Sequence, residues 1–128
     1  MADTEIREGY LYTKDHEWIG AETPRRVGIT AYAVEQLGDI TMVDLKVKVG
    51  ERIEAGQAFG VVESVKSVSD LYAPVSGVVA AINGELDARP ELVNEDPYGQ
   101  AWMISLQPDR EPTDLMDAEA YRAFLRTL

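Results

Sequence analysis

The chain has 128 residues, the length of one domain that can hold a core without disulfides or a structural metal. It has no cysteine and a single histidine, which excludes thiol nucleophiles, thiolate metal sites and multi-histidine metal sites. Its 12 basic and 23 acidic residues give a net charge of −11, which disfavours nucleic acid and anionic membrane surfaces as partners.

The first half of the chain reads as β-structure, because runs rich in valine, isoleucine and tyrosine alternate with polar residues. Short strands are predicted from Tyr10 (YLYT), at Trp18–Gly20 and at Arg26–Thr30. Thr30 is also a plausible N-cap for a helix, AYAVEQL, that ends at Gly38. A longer strand, Asp39–Lys48, alternates so that its face from Thr41 to Val47 points inward.

The second half predicts further strands and two more helical pieces. The predicted strands are Ala58–Ser64, Ser76–Ile82 and Ala101–Leu106, and Asn83-Gly84 is a tight-turn dipeptide. Pro90–Val93 favours a single helical turn with proline at its first position. A tail helix is predicted over Asp114–Arg126, after a polar segment, 108–114, that resembles a hinge.

Two segments, 47–60 and 79–92, repeat the order of an apolar strand, a Gly-Glu turn and an apolar residue. This weak internal repeat suggests a pseudo-symmetric β-sandwich.

The most informative segment is Gly60–Gly77, GVVESVKSVSDLYAPVSG. It is much longer than the ~5–6 residues of an average strand, yet no glycine, proline or asparagine interrupts it before Pro74. We therefore expect a hairpin that turns within the serine-rich zone Ser64–Ser69.

Lys66 then lies at the tip of this hairpin. The ordinary interpretation is a solvated turn lysine, but Val65 and Val68 bracket it with apolar side chains at an exposed position. Exposed valines at a turn add little stability, so we interpret them as part of a surface that an enzyme recognises. A protruding amine at a fixed point suits covalent attachment of a cofactor arm.

The motifs VESVKS and APVSG resemble the modification site of lipoyl and biotinyl carrier domains. YTKDHEW, GITAYAVEQLGDI, FGVVESVKSVSDLYAPVSG and ELVNEDPYGQAWMI resemble, in order, segments of the glycine cleavage system H protein family. The resemblance covers roughly Gly9 to Leu128. It implies a mainly β fold, a barrel-sandwich hybrid of two antiparallel sheets like a lipoyl domain, with short helices and a C-terminal helix. We expect a single domain over residues 1–128, with the tail helix of about 114–126 packed on it.

The resemblance also implies a function. Lys66 would carry lipoic acid in amide linkage, supplying sulfur chemistry that this cysteine-free chain lacks. In the family, the pyridoxal phosphate-dependent glycine decarboxylase loads the aminomethyl group of glycine onto the arm, and a tetrahydrofolate-dependent aminomethyltransferase removes it. Dihydrolipoamide dehydrogenase then reoxidises the arm, and a lipoate-attaching enzyme installs it. The chain would be a shuttle and not an enzyme.

Other residues receive roles from their position relative to Lys66. A carrier that protects a cationic amine benefits from a nearby carboxylate, so Glu17 and Asp70 are candidates for docking the arm, with solvated surface acids as the alternative. Glu63, Val65 and Ser67 are candidates for recognition by the modifying enzyme, and Glu63 could equally serve solubility.

Residues outside the hairpin tip are expected to be structural. His16 is interpreted as a hydrogen-bonding residue, and Trp18 and Trp102 as core aromatics. Gly60 and Gly77 would permit tight turns or close approach of backbones.

Two alternatives to this function stay open. One is a lipoyl or biotinyl carrier domain of another multienzyme complex. Such domains usually have Asp-Lys-Ala or Met-Lys-Met at the tip, whereas here Lys66 lies between Val65 and Ser67. The other is an acidic, β-rich interaction module whose lysine is never modified. A hydrolase is disfavoured because the sequence has no GxSxG elbow, histidine pair or phosphate loop.

The N-terminus, MADTEIREGY, has neither the basic and apolar regions of a signal peptide nor the composition of a transit peptide, and no segment has the ~18–20 apolar residues of a membrane helix. We expect a bacterial cytoplasmic location, or a mitochondrial one if a transit peptide has been removed.

Overall fold

Two antiparallel sheets form the body of the protein, which we describe from a computed structural model covering residues 5–128. The strands are β1 (Leu11–Tyr12), β2 (Glu17–Ile19), β3 (Arg25–Ile29), β4 (Ile40–Leu45), β5 (Arg52–Ile53), β6 (Ala58–Ser64), β7 (Val68–Tyr72), β8 (Gly77–Ile82) and β9 (Ile104–Pro108). The helices are α1 (Ala31–Leu37), α2 (Glu85–Ala88), α3 (Leu92–Glu95) and α4 (Ala118–Leu125).

The larger sheet has the order β1-β2-β3-β9-β8-β5, and the smaller has the order β4-β6-β7. Apolar residues from both sheets form one buried core, including Val27 and Leu106 from the larger sheet and Phe59 and Leu71 from the smaller. The predicted architecture of two antiparallel sheets, short helices and a C-terminal helix is therefore confirmed. No helix within residues 5–128 is long and apolar enough to cross a membrane.

The inward face predicted for Thr41 to Val47 is only partly correct. Val43 and Val47 are buried as predicted, but Thr41 is exposed and Ile40 is buried instead. The cause is an irregularity in the pairing of β4 with β6 between Ile40 and Met42, which reverses the side-chain alternation at the start of the strand. The strand also ends at Leu45, before the predicted limit of Lys48.

The chain turns at Asn83-Gly84 as predicted, but the turn leads into a short helix and not into another strand. Gly84 has a φ of −67° and begins a short helix instead of a turn with positive φ. The side chain of Asn83 accepts a hydrogen bond from the Glu85 N–H at 3.2 Å, so it contacts the first residue of α2. The helical turn predicted at Pro90–Val93 lies slightly later, as α3.

The tail helix starts at Ala118 instead of Asp114. Asp117 is its N-cap, because its side chain accepts a hydrogen bond from the Ala120 N–H at 2.8 Å. Before it, Met116 pairs with Tyr12 through two backbone hydrogen bonds of 2.7 and 3.0 Å, which is a strand-like contact that a helix would prevent. The chain that leads into α4 is thus joined to β1.

The segment predicted to be a hinge is held to the larger sheet. Asp109 forms a two-pronged ion pair with Arg52 at 2.6 and 2.8 Å, and Glu111 pairs with the largely buried Arg25. These contacts hold Asp109 and Glu111, in the first half of the segment, against the larger sheet.

Candidate functional site

A tight turn at Ser64–Ser67 joins β6 to β7, where the sequence predicts it. The Ser64 N–H donates to the Ser67 carbonyl at 2.8 Å, and the Ser64 hydroxyl oxygen accepts the N–H groups of Lys66 and Ser67 at 3.3 and 3.1 Å. A serine side chain thus satisfies the amides of the turn, which explains why no glycine is needed. The Val65 N–H also donates to the Asp39 carbonyl at 3.1 Å, which ties the tip to the start of β4.

Lys66 is exposed on this turn, and Val65 and Val68 beside it are 71% and 66% exposed. Within residues 5–128, neither a hydrogen bond nor an ion pair engages the Lys66 ammonium group. The side chain passes over Gly38, since its Cε atom lies 3.7 Å from where a Cβ atom on Gly38 would be. The amine is therefore accessible, while its backbone is held in place.

The register of the smaller sheet places Met42, Glu63 and Val68 side by side next to the tip. Met42 is 38% exposed and Glu63 is half-buried. The recognition candidates Glu63, Val65 and Ser67 therefore lie on or beside one small surface, which mixes apolar side chains with a single acid. A protein that binds this surface would read the tip as a unit.

A groove of about 390 Å³ lies beside the hairpin. Strands β6 and β7 form one side of it, and α1 and the segment leading into β2 form others. The lining residues are Asp15, His16, Glu17, Ile29, Tyr32, Ala33, Gln36, Leu37, Val62, Ser69, Asp70, Leu71 and Leu128. The two acids predicted to dock an arm, Glu17 and Asp70, are thus brought into the same groove from distant parts of the sequence.

Glu17 is not a solvated surface acid, because only 2% of it is exposed. Its carboxylate accepts the Tyr72 N–H at 2.9 Å and the Thr13 hydroxyl at 3.2 Å. Burial raises the pKa of Glu17 to about 8, against the opposing effect of these two hydrogen bonds. A cationic ligand in the groove would favour the ionised form of this buried carboxyl group.

Asp70, in contrast, is exposed. The Tyr72 hydroxyl contacts its carboxylate at 3.4 Å, and this neighbouring negative charge raises the pKa of Tyr72. The groove therefore offers one buried and one exposed acid among apolar side chains such as Ile29 and Leu37.

His16 has the structural role that the sequence suggests. Its Nδ1 atom lies 2.8 Å from the Tyr121 hydroxyl, and burial lowers the pKa of the imidazole. Its φ of 66° is unusual for a residue other than glycine. Sequence reasoning missed the contact with Tyr121, since the two residues are 105 positions apart and nothing local to either signals the pairing.

The two tryptophans differ in environment. Trp18 is buried and donates from Nε1 to the Pro97 carbonyl at 3.0 Å, so it is a core residue as predicted. Trp102 is only half-buried, and the Arg26 guanidinium lies 4.8 Å from its ring centre. Its assignment to the core is therefore only partly correct, because Trp102 packs against the buried cluster that contains Trp18 while a cation covers one face of its ring.

The close backbone contacts expected of Gly60 and Gly77 are confirmed. A Cβ atom on Gly60 would lie 2.5 Å from the Asp44 carbonyl oxygen, and one on Gly77 would meet the Gln107 carbonyl oxygen. Gly60 thus lets β6 pair closely with β4, and Gly77 lets β8 pair closely with β9. Within the described part of the chain, no group of three or more acids or histidines is arranged to hold a metal ion.

Comparison with known proteins gives a consistent result. The glycine cleavage H-protein family model matches residues 10–128. The chain is 51% identical over 132 residues to the glycine cleavage system H protein of Mycobacterium bovis, covering 95% of this chain and 98% of that protein. It is 50% identical over 124 residues to that of Oceanobacillus iheyensis, covering 94% and 98%. A crystal structure of a glycine cleavage system H protein from Mycobacterium marinum, 45% identical, matches with a TM-score of 0.84, covering 96% of this chain and all of that chain (100%).

Proposed function

Because the chain belongs to the glycine cleavage H-protein family, we propose that it is a shuttle that carries lipoic acid on Lys66. In this role it passes the aminomethyl group of glycine from a pyridoxal phosphate-dependent glycine decarboxylase to a tetrahydrofolate-dependent aminomethyltransferase. The observation that carries the proposal is the exposed amine of Lys66 on a serine-closed turn beside a groove that contains Glu17 and Asp70.

The residues present suit a lipoyl group. Attachment by an amide bond requires an accessible amine without a competing ion pair, and Lys66 meets this requirement within the described residues. The groove combines apolar walls with carboxylates, which suits an arm that is apolar along its length and carries a cationic amine at its end when loaded. When bound, the lipoyl group supplies a disulfide that can be reduced, loaded and reoxidised.

The residues of the groove would then bind the loaded arm and shield it from water. Glu17 would face the cationic amine from the interior of the groove, and Asp70 would face it from the rim. Ile29, Leu37 and Val62 would exclude water from the space between them. Within this proposal no residue of the chain performs bond chemistry, so the protein acts as a carrier and not as an enzyme.

The surface around the tip supports recognition by other proteins. Val65 is largely exposed without a packing role, and Ser67 and Glu63 flank the modified position. We infer that the lipoate-attaching enzyme reads these three residues. Glycine decarboxylase, aminomethyltransferase and dihydrolipoamide dehydrogenase would then each meet the arm at the same tip. We further propose that residues 1–128 act as one domain and that the protein works in the bacterial cytoplasm, or in mitochondria if a transit peptide has been removed.

Intact mass of the protein, isolated from a host that attaches lipoate, tests the proposal directly. We expect one lipoyl increment, located on Lys66 by peptide mapping. A biotinyl increment would instead identify the carrier of another multienzyme complex. An unmodified mass in a lipoylation-competent host would favour the acidic interaction module.

A further inference from the structure

The hydroxyl of Tyr121 joins two walls of the groove, although Tyr121 itself lies on α4 and does not line it. This oxygen is 2.8 Å from His16 Nδ1 and 2.8 Å from Thr30 Oγ1. His16 is part of the groove wall that precedes β2, and Thr30 is the N-cap of α1, which forms another wall. The buried Tyr121 oxygen thus connects the segment before β2 to the start of α1, two segments that are distant from α4 in the sequence.

The distances allow either direction for these two bonds, and we infer one direction from the neighbouring groups. Thr30 Oγ1 accepts the Ala33 N–H at 3.2 Å, so its own hydrogen is free to point at Tyr121. The Tyr121 hydrogen then points at His16 Nδ1, which leaves the imidazole neutral with its hydrogen on Nε2. Thr30 and Tyr121 are fully buried, and this arrangement gives each of their two hydroxyl hydrogens an acceptor.

His16 depends on such support. A non-glycine residue with a φ of 66° costs free energy and persists where its surroundings hold it. The Thr30 N–H holds the His16 carbonyl at 2.9 Å, and Tyr121 holds the ring. Because Glu17 follows His16 directly, this backbone conformation also sets where the Glu17 carboxylate lies in the groove.

We propose that Tyr121 is a positioning residue for docking of the arm, acting through His16 and Thr30 on the separation of the groove walls. The proposal rests on the proposed function, because it concerns the groove that would receive the arm of Lys66. It assigns a role in binding to a residue that touches neither the groove nor the arm.

A purely stabilising role is the competing explanation, and Tyr12 provides a matched control. Tyr12 stacks on Tyr121 with ring centres 4.6 Å apart, and both are fully buried. Its hydroxyl bonds to the backbone of Arg7, at 2.6 Å to the carbonyl and 2.8 Å to the N–H, away from the groove. Tyr12→Phe therefore removes a comparable buried hydroxyl without releasing His16 or Thr30.

The test uses the full chain lipoylated on Lys66, with the reduced arm alkylated at one sulfur by 2-bromoethylamine. Sulfur displaces bromide and leaves an aminoethyl thioether, a stable cationic analogue of the loaded arm. The chain has no cysteine, so the arm provides the only thiols. The ratio of docked to free arm is read by NMR from the amide shifts of Ser69 and Leu71. The tautomer is read from the ring nitrogens of the single histidine.

In wild type we expect a docked arm and a neutral Nε2–H imidazole. Tyr121→Phe removes the hydroxyl from both His16 and Thr30. We expect it to lower the docked-to-free ratio by at least about fivefold, the factor that corresponds to one net hydrogen bond, and to release the imidazole from a fixed tautomer. Tyr12→Phe is expected to leave both readouts at their wild-type values. An unchanged ratio in Tyr121→Phe, or an equal drop in both variants, would overturn the inference.

If Tyr121→Phe does not fold, His16→Asn replaces it. Asparagine tolerates a positive φ but is too short to reach the Tyr121 hydroxyl, so the docked ratio should still fall. Wild-type docking in this variant would also refute the inference. In contrast, failure to lipoylate Lys66, or a wild-type arm that never enters the groove, refutes the proposed function and this inference with it.

Discussion

At the level of single residues, the proposed lipoylation of Lys66 depends on the reactivity of its amine and not on its charge. Lys66→Arg keeps the positive charge but removes the amine that can be acylated, so we expect a folded protein without a lipoyl increment. Lys46→Arg is the matched control, because Lys46 is also exposed and, among residues 5–128, its ammonium group pairs only with Asp44, at 3.8 Å. Intact mass after exposure to the lipoate-attaching enzyme measures both. A Lys66→Arg protein that fails to fold would contradict an exposed tip.

Glu17 gives a prediction for the pH dependence of stability. Burial raises its pKa in the folded protein to about 8, above the ordinary value, so the folded state favours the protonated acid. Its stabilising contribution is present below the unfolded pKa and is lost as pH rises towards about 8, with a slope of at most about 1.4 kcal/mol per pH unit.

Glu17→Gln removes this titration. Urea unfolding of both proteins from about pH 5 to about pH 9 should show the variant gaining stability relative to wild type as pH rises. The glutamine side chain would face two hydrogen-bond donors, the Tyr72 N–H and the Thr13 hydroxyl, with a single carbonyl oxygen. We therefore expect the variant to have a lower free energy of unfolding than wild type at low pH. Parallel profiles across this range would show that the carboxyl does not titrate as its burial requires.

These residues also show which parts of the site the sequence can reveal. Lys66 was identifiable because its turn is local, and Ser64 to Ser67 contain all the groups that close it. Glu17 was identified as a candidate, but its burial depends on β7, 55 positions away, which supplies the Tyr72 N–H. Hydrogen bonds that cross the fold cannot be derived from local pattern.

At the level of elements, the boundaries that failed are those where a tertiary contact overrides a local signal. Asn83-Gly84 is a strong turn signal, yet the Asn83 amide donates to the Gln100 and Trp102 carbonyls at 2.9 and 2.7 Å. These bonds fix Asn83 against the chain before β9, and the helix α2 follows. Similarly, the irregular pairing near Ile40 arises from the contact between β4 and β6. The order of polar and apolar residues in either strand does not reveal it.

Gly60 provides a test of the close packing of β6 on β4, with Gly84 as the control. Gly60→Ala places a Cβ atom 2.5 Å from the Asp44 carbonyl oxygen, a backbone atom that cannot move without disturbing β4, so we expect a loss of about 1–3 kcal/mol of unfolding free energy. Gly84→Ala is the control, because nothing lies within 4 Å of its Cβ position and its φ is −67°.

The control should be neutral or gain about 0.4–1 kcal/mol, because alanine restricts the unfolded chain at a φ it can adopt. Urea unfolding measures both variants. Equal stability of Gly60→Ala and wild type would mean that β4 and β6 are not packed as closely as the structure shows.

At the scale of the whole molecule, the net charge of −11 acts over the distances at which partners first meet. Enzymes that bind this protein are expected to present basic surfaces, and their association should slow as salt rises. From about 0.01 to about 0.1 M salt the Debye length shortens from about 30 to about 10 Å, which is the range to examine. The rate of lipoylation at limiting protein concentration is the measurement.

Two variants that each lose one negative charge at a different place can distinguish electrostatic steering of the enzyme towards the tip from a general effect of net charge. Glu63→Gln and Glu119→Gln each remove one negative charge, but Glu63 lies beside the tip whereas Glu119 lies in the first turn of α4. We expect Glu63→Gln to lower the association rate and weaken its salt dependence, and Glu119→Gln to change both much less. Equal effects of the two variants would show that the enzyme responds to total charge and not to the surface around Lys66.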